Sequence, residues 1–439
     1  MLLESERTTI TPGQLPDFLK TRMREFYSAG VPDFARERLE TELRFMKTSN
    51  GEEELLLCYE LSRIAARSGH ILQANSSSVG SFLVFLLTDS RINPLPAHYY
   101  CRQCGYSELA ANVILALDLP SKNCPHCGAP MDRDGFSLPA EIVWRSNGTK
   151  KLSLSYGCSE GFLPYGYRAI KEFYAERNRA VLPMGTRHFC TGRPPVPTRE
   201  LKPLGVVVLP EGAEVDSYPQ FLTYLSDGTP CFEGYSSVYD RMGIEQITLF
   251  STNDPKSLKR AQDAVGRFCD DMPFEALLEV TYRDIKNTSL ISADVHRALR
   301  RRHDTFYDIA CALTINSNTY SDQGERARPL DVIDLEEFKL CPICCIEDIF
   351  DRMVAAGWER RRAAEVTEMI CKGDVFEDPS ILEHLHLPDD LAASVAHCVY
   401  LFPRGYGVRR LLSLIMLASY MKEDPYRYFD AISVISEDV

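Results

Sequence analysis

The spacing of apolar residues predicts two helices near the start of the chain. From Pro32 onward, apolar positions recur mostly every three or four residues, which is the period of an amphipathic helix. A second helix is predicted over Glu52 to Ser68. Residues 1–30 are expected to form a loose lead-in, because breakers such as Pro12 and Pro16 interrupt regular structure.

The middle of the chain mixes strand and helix patterns, whereas the last hundred residues are mostly helical. Leu152–Tyr156 alternates like a half-buried strand, and Gly205–Leu209 is a short apolar run typical of a buried strand. Amphipathic spacing predicts the remaining helices, which are Tyr167–Glu176, Glu347–Gly357, Arg360–Cys371, Pro388–Tyr400 and Val408–Lys422.

Composition favours a protein of the reducing cytoplasm. The chain has 439 residues, a formal net charge of −13 and 15 cysteines. An acidic chain favours protein partners over nucleic acid, because neutralising phosphates takes Lys and Arg. The opening residues lack the apolar core of a secretion signal, and the longest apolar runs, 82–87 and 411–418, are too short to cross a membrane. Cysteines in such a chain predict thiols and a metal site rather than disulfides.

Two CxxC pairs predict a structural zinc site. Cys101 and Cys104 form the first pair, Cys124 and Cys127 the second, and 19 residues separate the pairs. Four thiolates at this spacing can close a tetrahedron around Zn²⁺, and a glycine after each pair permits the tight turn. With four protein ligands and no open position, such a zinc would organise structure rather than catalyse a reaction. His126, inside the second pair, is expected to be exposed.

A further cysteine cluster is ambiguous. Cys341, Cys344 and Cys345 include one CxxC pair without an obvious partner pair. Three more distant side chains are conceivable ligands, namely Cys371, His384 and His386. Ordinary structural thiols at the start of a helix are the favoured interpretation.

Several segments resemble the PolC type of bacterial DNA polymerase III, in order and in spacing. Residues 93–101, 118–128 and 134–139 are similar to the zinc-containing region of that family, and Arg38–Leu43 to the helix that opens its palm. Motifs similar to its helical fingers follow near the end of the chain, at 347–349, 355–357, 368–373, 402–404 and 419–428. The resemblance covers residues 31–435 and implies the polymerase core alone, without exonuclease, PHP or oligonucleotide-binding domains.

The resemblance also shows what has changed at the catalytic centre. The three family aspartates that hold the metals align with Lys151, Ser153 and Thr248, and Asp254 with Pro255 anchors the register of the second strand. Residues 75–81 of this chain resemble the phosphate-binding turn of the family but lack its Arg and its first Gly. The remaining phosphate or DNA-binding candidates are Ser77, Ser78, Gly80, Ser81 and Arg404.

This exchange removes the electrostatic basis of the family's reaction, which needs metals held by carboxylates. Two unit charges 4 Å apart interact by roughly 4 kcal/mol at an effective dielectric near 20. Turning an anion into Lys151 beside a divalent ion would therefore cost on the order of 15 kcal/mol before relaxation. We expect no bound Mg²⁺ and no polymerase activity, unless relocated acids rebuild the site, for which the candidates are Glu160, Asp240, Glu245 and Asp254.

Two other features allow nucleic-acid or clamp binding. Basic clusters occur at Arg300–Arg302, with Arg297 and His303 beside them, and at Arg360–Arg362; solvated helix faces are their commoner explanation. Gln246–Phe250 resembles the pentapeptide by which bacterial polymerases hold the sliding clamp, but its place on a predicted strand favours a core role.

Together these observations predict an α+β fold with a nucleotidyltransferase-like palm, an inserted zinc module and a helical fingers-like C-terminal region. The expected divisions are a lead-in at 1–30, palm at 31–95, zinc module at 96–136, palm-like core at 137–255, connecting region at 256–335 and helical domain at 336–439. The favoured function is non-catalytic binding or scaffolding in DNA replication or repair, with replication or repair proteins as partners and no membrane. An active polymerase with relocated ligands and a non-enzymatic DNA-binding protein are the alternatives.

Overall fold

A computed structural model gives the fold, and it describes residues 10–75, 77–88, 90–144, 151–189, 196–225, 227–233, 239, 241–288, 299, 304–315, 317, 319–320, 328–329, 343–371, 374–395 and 398–433. Helices and strands are mixed, as the sequence predicts. Arg297, Arg300–Arg302, His303, Asp240 and Cys341 lie outside the described residues.

The helices form an N-terminal, a central and a C-terminal group. The N-terminal group is α1 (Leu15–Phe26), α2 (Asp33–Ser49), α3 (Glu52–Arg67), α4 (Phe82–Thr88), α5 (Ala140–Val143) and α6 (Leu163–Ala175). The central group is α7 (Asn253–Val265), α8 (Phe274–Leu277), α9 (Tyr282–Thr288) and α10 (Phe306–Ile315). The C-terminal group is α11 (Ile346–Ala355), α12 (Arg360–Cys371), α13 (Asp374–Glu377), α14 (Ser380–Leu385), α15 (Asp389–Val395), α16 (Arg404–Glu423) and α17 (Pro425–Ser433).

Within the described residues, the strands form three sheets. The seven-stranded sheet has the order β1-β5-β10-β7-β6-β9-β8, with β1 (Leu72–Ala74), β5 (Leu154–Cys158), β6 (Val181–Phe189), β7 (Val196–Val208), β8 (Leu222–Tyr224), β9 (Pro230–Glu233) and β10 (Glu245–Ser251). A small antiparallel sheet contains β2 (His98–Tyr100), β3 (Ser107–Leu109) and β4 (Asp132–Asp134). The third sheet joins β11 (Thr319–Tyr320), β12 (Arg328–Pro329) and β13 (Cys398–Tyr400).

Helices α3 and α6 pack on one face of the large sheet. Alternate residues of β5 and β10 point into this core, including Leu154, Tyr156, Ile247 and Leu249. Because successive side chains of a strand point to opposite faces, the intervening positions lie on the other side. We call that other side of β1, β5 and β10 the polar face; Gln73, Ser155 and Thr248 lie on it.

Two further cores hold the central and C-terminal helices. One contains α7, α9, α10, α16 and α17, and it surrounds α16, which is buried along most of its length. The other is built by the helices α11 to α15. No helix within the described residues is long and apolar enough to cross a membrane.

Several predicted elements differ from the structure, and helix α6 begins four residues before its predicted start at Tyr167. Residues 15–26 form a helix in place of a loose lead-in, because Leu15, Leu19 and Met23 share one face and are buried in the first core. The segment predicted as a helix over Pro388–Tyr400 divides into α15 and the strand β13, because Cys398–Tyr400 pairs with β11. Helix α16 begins four residues before the predicted start, directly after Pro403.

Candidate functional site

The four predicted metal-binding cysteines come together beside the small sheet. Cys101 and Cys127 have sulfur atoms 3.4 Å apart, and those of Cys104 and Cys124 are 3.5 Å apart. Sulfur atoms bound tetrahedrally to one Zn²⁺ are about 3.8 Å apart, since each Zn–S bond is about 2.3 Å. The cluster could therefore bind a metal ion such as zinc.

Backbone geometry explains why glycine follows each pair. Gly105 and Gly128 have φ angles of +74° and +76°, in the left-handed region that favours glycine. The amide of Gly105 donates to the carbonyl of Cys101, and that of Gly128 to Cys124. These tight turns fold each pair of sulfur atoms toward a common point. His126 is exposed, as expected.

The polar face carries the hydroxyl groups of Ser155 and Thr248 side by side. Strands β5 and β10 are parallel, with Ser155 beside Thr248 in register. The hydroxyl of Thr248 donates to that of Ser155 over 2.5 Å. Ser153 precedes β5 with the same alternation and is half-buried. Neutral hydroxyls are weaker ligands for Mg²⁺ than carboxylates.

Lys151 points away from this polar face. Its ammonium lies 2.8 Å from Oε1 of Glu245 and 2.9 Å from Oε1 of Glu54, which belongs to α3. Glu245 shares its side of β10 with Ile247 and Leu249, on the helix-covered face. The ammonium of Lys151 therefore does not point into the metal pocket, contrary to the expectation from the sequence. The expected repulsion of about 15 kcal/mol therefore does not act there.

The pKa values of Glu54 and Lys151 are both raised in this ion pair. Burial raises the pKa of Glu54 to about 7; repulsion from Glu245 adds to the rise, and Lys151 opposes it. Burial alone would lower the pKa of Lys151, but the two carboxylates outweigh burial and raise it. Arg179 also contacts Glu245, 3.0 Å from Oε1. Both acids thus lie close to cations of the chain itself.

The candidate phosphate-binding turn is mostly buried. Ser78 and Ser81 are inaccessible to solvent and Gly80 is buried, whereas Ser77 is half-buried with its hydroxyl unpartnered. The hydroxyl of Ser81 donates to Glu42 over 2.6 Å. The turn is therefore held by the first core rather than open to a ligand on its serine side chains.

Arg404 is also committed to contacts inside the protein. It is 3% exposed, and its guanidinium lies 2.8 Å from Asp351 and donates to the carbonyl of Ser137. Its backbone amide donates to Glu347 over 2.6 Å. The residue thus connects α16, α11 and the loop before α5.

The acids proposed as relocated ligands have separate partners. Glu245 binds Lys151 and Arg179, while Asp254 lies 3.3 Å from Arg409. Within the described residues, the four cysteines are the one group of three or more His, Cys, Asp or Glu whose ligand atoms lie within 4.8 Å of each other. Glu160, at the turn before α6, is exposed.

Two arginines missed by the sequence analysis lie next to the polar face. Arg409 and Arg410 of α16 approach Oδ2 of Asp254 at 3.3 and 3.4 Å. Arg409 also donates to Gln73 over 2.8 Å. Both arginines are more than nine-tenths buried. The apolar spacing of α16 did not indicate their burial, because arginine side chains are usually exposed.

The ambiguous cysteine cluster has a partner that sequence spacing did not indicate. The thiol of Cys344 is hydrogen-bonded to that of Cys311 on α10; this contact and burial raise the pKa of Cys344. Cys371 is buried at the end of α12, and His384 bonds to the carbonyl of Ser380. In the described part of the chain, these side chains form no metal-binding group.

The basic cluster Arg360–Arg362 forms ion pairs within the chain, and the clamp-like pentapeptide lies in a strand. Arg360 forms a two-bonded pair with Glu141, and Arg361 and Arg362 both contact Glu365. Gln246–Phe250 lies within β10, between β5 and β7. The prediction that this pentapeptide belongs to the core is confirmed.

Comparison with known proteins points to one group of enzymes. The chain is 23% identical to DNA polymerase III PolC-type of Bacillus subtilis over 480 residues, covering 95% of this chain and 33% of that protein. It is 22% identical to the protein of the same name from Thermotoga maritima, covering 95% of this chain and 34% of that protein. For the one from Lacticaseibacillus paracasei, identity is 24%, with 95% of this chain and 33% of that protein covered. No protein-family model matches.

The chain spans about a third of the length of the curated relatives it matches. Similarity extends over nearly all of this chain, and the same kind of relative recurs across several bacteria. These matches support a relation between this chain and PolC-type DNA polymerase III.

Proposed function

We propose that this chain is a non-catalytic relative of PolC-type DNA polymerase III that acts by binding, as a scaffold linked to DNA replication or repair. The observation that carries the proposal is chemical: Ser153 and Thr248 place hydroxyls at the positions aligned with metal-binding aspartates. Polymerase chemistry needs carboxylates there, to hold the metals that activate the attacking oxygen.

The surroundings of the polar face support this proposal. Arg409 and Arg410 bring two buried guanidiniums close to Gln73 and Asp254. Positive charge at this place disfavours a divalent cation, because like charges repel more strongly where water is excluded. The buried contacts of Ser81 and Arg404 further suggest that the candidate phosphate ligands have structural roles.

Primer extension tests the proposal. The chain is incubated with a primed DNA template, deoxynucleotides and Mg²⁺ or Mn²⁺, beside an active PolC-type polymerase as positive control. We expect no template-dependent extension by this chain. Extension that depends on the template, and that disappears on Thr248→Val, would contradict the proposal.

The alternative of an active enzyme with relocated ligands predicts measurable metal binding. Calorimetry with Mg²⁺ and a nucleotide would then show heat that is lost in Glu245→Gln or Asp254→Asn. The contacts of these acids with Lys151, Arg179 and Arg409 do not favour this alternative.

The alternative of a non-enzymatic DNA-binding protein rests on the basic clusters. Arg360–Arg362 is engaged by Glu141 and Glu365, which reduces its attraction for phosphates. Salt-dependent binding of duplex DNA that is lost on Arg361→Glu would favour it over the scaffold.

We further propose that the cysteine cluster holds Zn²⁺ in a structural role and that the polar face holds no Mg²⁺. Replication or repair proteins are the proposed partners, and the cytoplasm, where bacterial DNA is replicated, is the proposed location. Co-purification from bacterial cells with replication proteins, measured by mass spectrometry after crosslinking, would test the choice of partner.

A further inference from the structure

Two cysteine side chains from different elements meet between the central and the C-terminal helices. Cys311 lies on α10, and Cys344 lies just before the start of α11. Their thiols are hydrogen-bonded to each other, and both residues are in the thiol form. Both side chains are half-buried, so the pair is not closed off from solvent. Two sulfur atoms in contact need only a small further approach to form a disulfide.

The backbone around Cys344 is held in place by α11. The carboxylate of Asp348 accepts the amide of Cys344 over 2.6 Å and the amide of Cys345 over 3.1 Å. In return, the side chain of Cys345 accepts the backbone amide of Asp348 and caps the helix. The two neighbouring cysteines therefore differ in role: Cys345 is buried as the cap of α11, whereas the sulfur of Cys344 faces Cys311.

Helix α10 is fixed against the same place by a second contact. The hydroxyl of Tyr307 donates to Asp348 over 3.1 Å. Tyr307 and Cys311 are four residues apart on α10 and thus share one helix face. The guanidinium of Arg404 lies 5.8 Å from the ring of Tyr307 and 3.5 Å from Asp348. Contacts that do not involve sulfur therefore hold Cys311 opposite Cys344.

We propose that Cys311 and Cys344 form a reversible disulfide when the chain meets a hydroperoxide, and that this bond fastens the C-terminal helices to the central helices. The sulfur of Cys311 attacks one oxygen of hydrogen peroxide, which gives a sulfenic acid and releases one water. The sulfur of Cys344 then attacks the sulfenic sulfur, and the sulfenic oxygen leaves as a second water with the proton of Cys344. Two thiols thereby lose two electrons and two protons to one peroxide.

The environment of Cys344 suits the second of these steps. Its hydrogen bond to Cys311 and its burial raise the pKa of Cys344, so this residue remains a thiol. Thiols react with oxidants more slowly than thiolates. Cys344 is instead placed to react with a sulfenic acid on Cys311, because the two sulfur atoms are already in contact. Disulfides of cytoplasmic proteins are usually transient and redox-sensing, and cellular thiols reverse them.

The disulfide would join two cores that pack separately. Helix α10 contributes to the core around α16, whereas Cys344 packs against the core of α11 to α15. Residues 312–343 lie between the two cysteines, so the bond would close a loop and restrict the unfolded chain. This device is independent of the polar face, and it would act whether or not the chain extends primers.

Peptide mapping of the full chain after treatment with equimolar hydrogen peroxide tests the proposal, with Zn²⁺ kept in the buffer. Digestion without reductant should give a linked species that contains Cys311 and Cys344, lighter than the two peptides together by two hydrogen atoms. Dithiothreitol should separate the peptides again. Cys311→Ser and Cys344→Ser should each abolish the link. The matched control is Cys345→Ser, which should keep the link because serine can still cap α11.

Thermal unfolding measures whether the bond acts on the fold. Peroxide should raise the melting temperature of the chain by roughly 4 °C and leave that of Cys344→Ser unchanged. Failure of the Cys311–Cys344 link to form would overturn the proposal. So would equal loss of the link in Cys345→Ser and Cys344→Ser, or a linked chain that melts at the same temperature as the reduced chain.

Discussion

At the scale of single residues, buried acids carry the sharpest consequences. Glu54 and Glu42 are both buried, yet they are stabilised in different ways. Glu54 lies close to the partly exposed ammonium of Lys151, and neither of its oxygens accepts a well-aligned hydrogen bond. Glu42 instead accepts several hydrogen bonds, which satisfy its oxygens inside the core.

Glu54 should make stability depend on pH. Its pKa is raised to about 7 in the folded chain, above the ordinary value of 4.5. Its contribution is therefore complete below pH 4.5 and is lost as the pH rises through 7, by on the order of 3 kcal/mol. In Glu54→Gln, urea unfolding between pH 5 and pH 8 should lose this slope. Glu37→Gln, on the exposed side of α2, should keep it; an unchanged slope in Glu54→Gln would contradict the assignment.

Glu42 should be essential for folding stability. It accepts bonds from Ser81, from the amide of Phe82 and from the indole of Trp144, and it pairs with Arg38 at 2.5 Å. Glu42→Gln leaves Arg38 without its charge partner in a buried place, which should cost about 3–5 kcal/mol. Urea unfolding measures the loss. Glu40→Gln, exposed on the same helix, serves as control. A loss of unfolding free energy below about 1 kcal/mol in Glu42→Gln would contradict the prediction.

At the scale of elements, close contacts fix how the helices pack. Helix α16 lies against α10, and two of its glycines face neighbouring elements. A Cβ added at Gly407 would be 2.1 Å from the hydroxyl of Thr314 and 2.3 Å from the carbonyl of Ala310. At Gly405 the nearest atom would be 3.1 Å away, on Val79.

Gly407→Ala should therefore push α16 and α10 apart. The backbone carbonyl of Ala310 cannot move without shifting α10, so we expect a destabilisation of about 1–3 kcal/mol, measured by urea unfolding. Gly405→Ala, whose Cβ would meet flexible methyl groups, should cost less. The packing described for these helices would be wrong if the two substitutions had equal effects.

The zinc module should lose its structure without metal. Three short strands and a small apolar cluster give it little core of its own. Cys104→Ser should reduce metal content from about one zinc per chain to nearly none, measured by elemental analysis. Amide exchange should rise across 98–134. Cys311→Ser, a thiol outside the module, should retain the zinc; retention by Cys104→Ser would exclude a four-cysteine site.

At the scale of the whole molecule, the cysteine module and the large sheet have separate cores, so the effects of zinc and of magnesium on stability can be measured separately. The small module is joined to α10 through Asp118, which accepts the amides of Phe306 and Tyr307 at 2.7 and 3.0 Å. Loss of zinc would therefore be felt beyond the module. Beside the large sheet, positive charge comes instead from side chains of the protein, namely Lys151 next to Glu245 and Arg409 and Arg410 next to Asp254.

Magnesium should not stabilise the folded chain. A ligand that binds the folded state raises the melting temperature, whereas one without a site does not. Addition of about 10 mM Mg²⁺ should leave the melting temperature unchanged within about 1 °C, while removal of zinc by a chelator should lower it. A rise of several degrees that Thr248→Val abolishes would indicate a metal site on the polar face.

Features that depend on local order could be predicted from the sequence alone. Apolar spacing located α2, α3 and α12 closely, because one helix face must pack against the core. Two CxxC pairs sufficed to predict the converging cysteines, since each pair is made by one tight turn. Residue identity alone showed hydroxyls at Ser153 and Thr248.

Tertiary structure decided where side chains point and what they meet. Lys151 alternates with Ser153 in sequence, yet its long side chain reaches Glu54 on a helix about a hundred residues away. Cys311 meets Cys344 across 33 residues, and Arg409 meets Gln73 across 336 residues. Such contacts join elements that are distant in sequence, so no local period encodes them. The packing of helices against the sheet selects them.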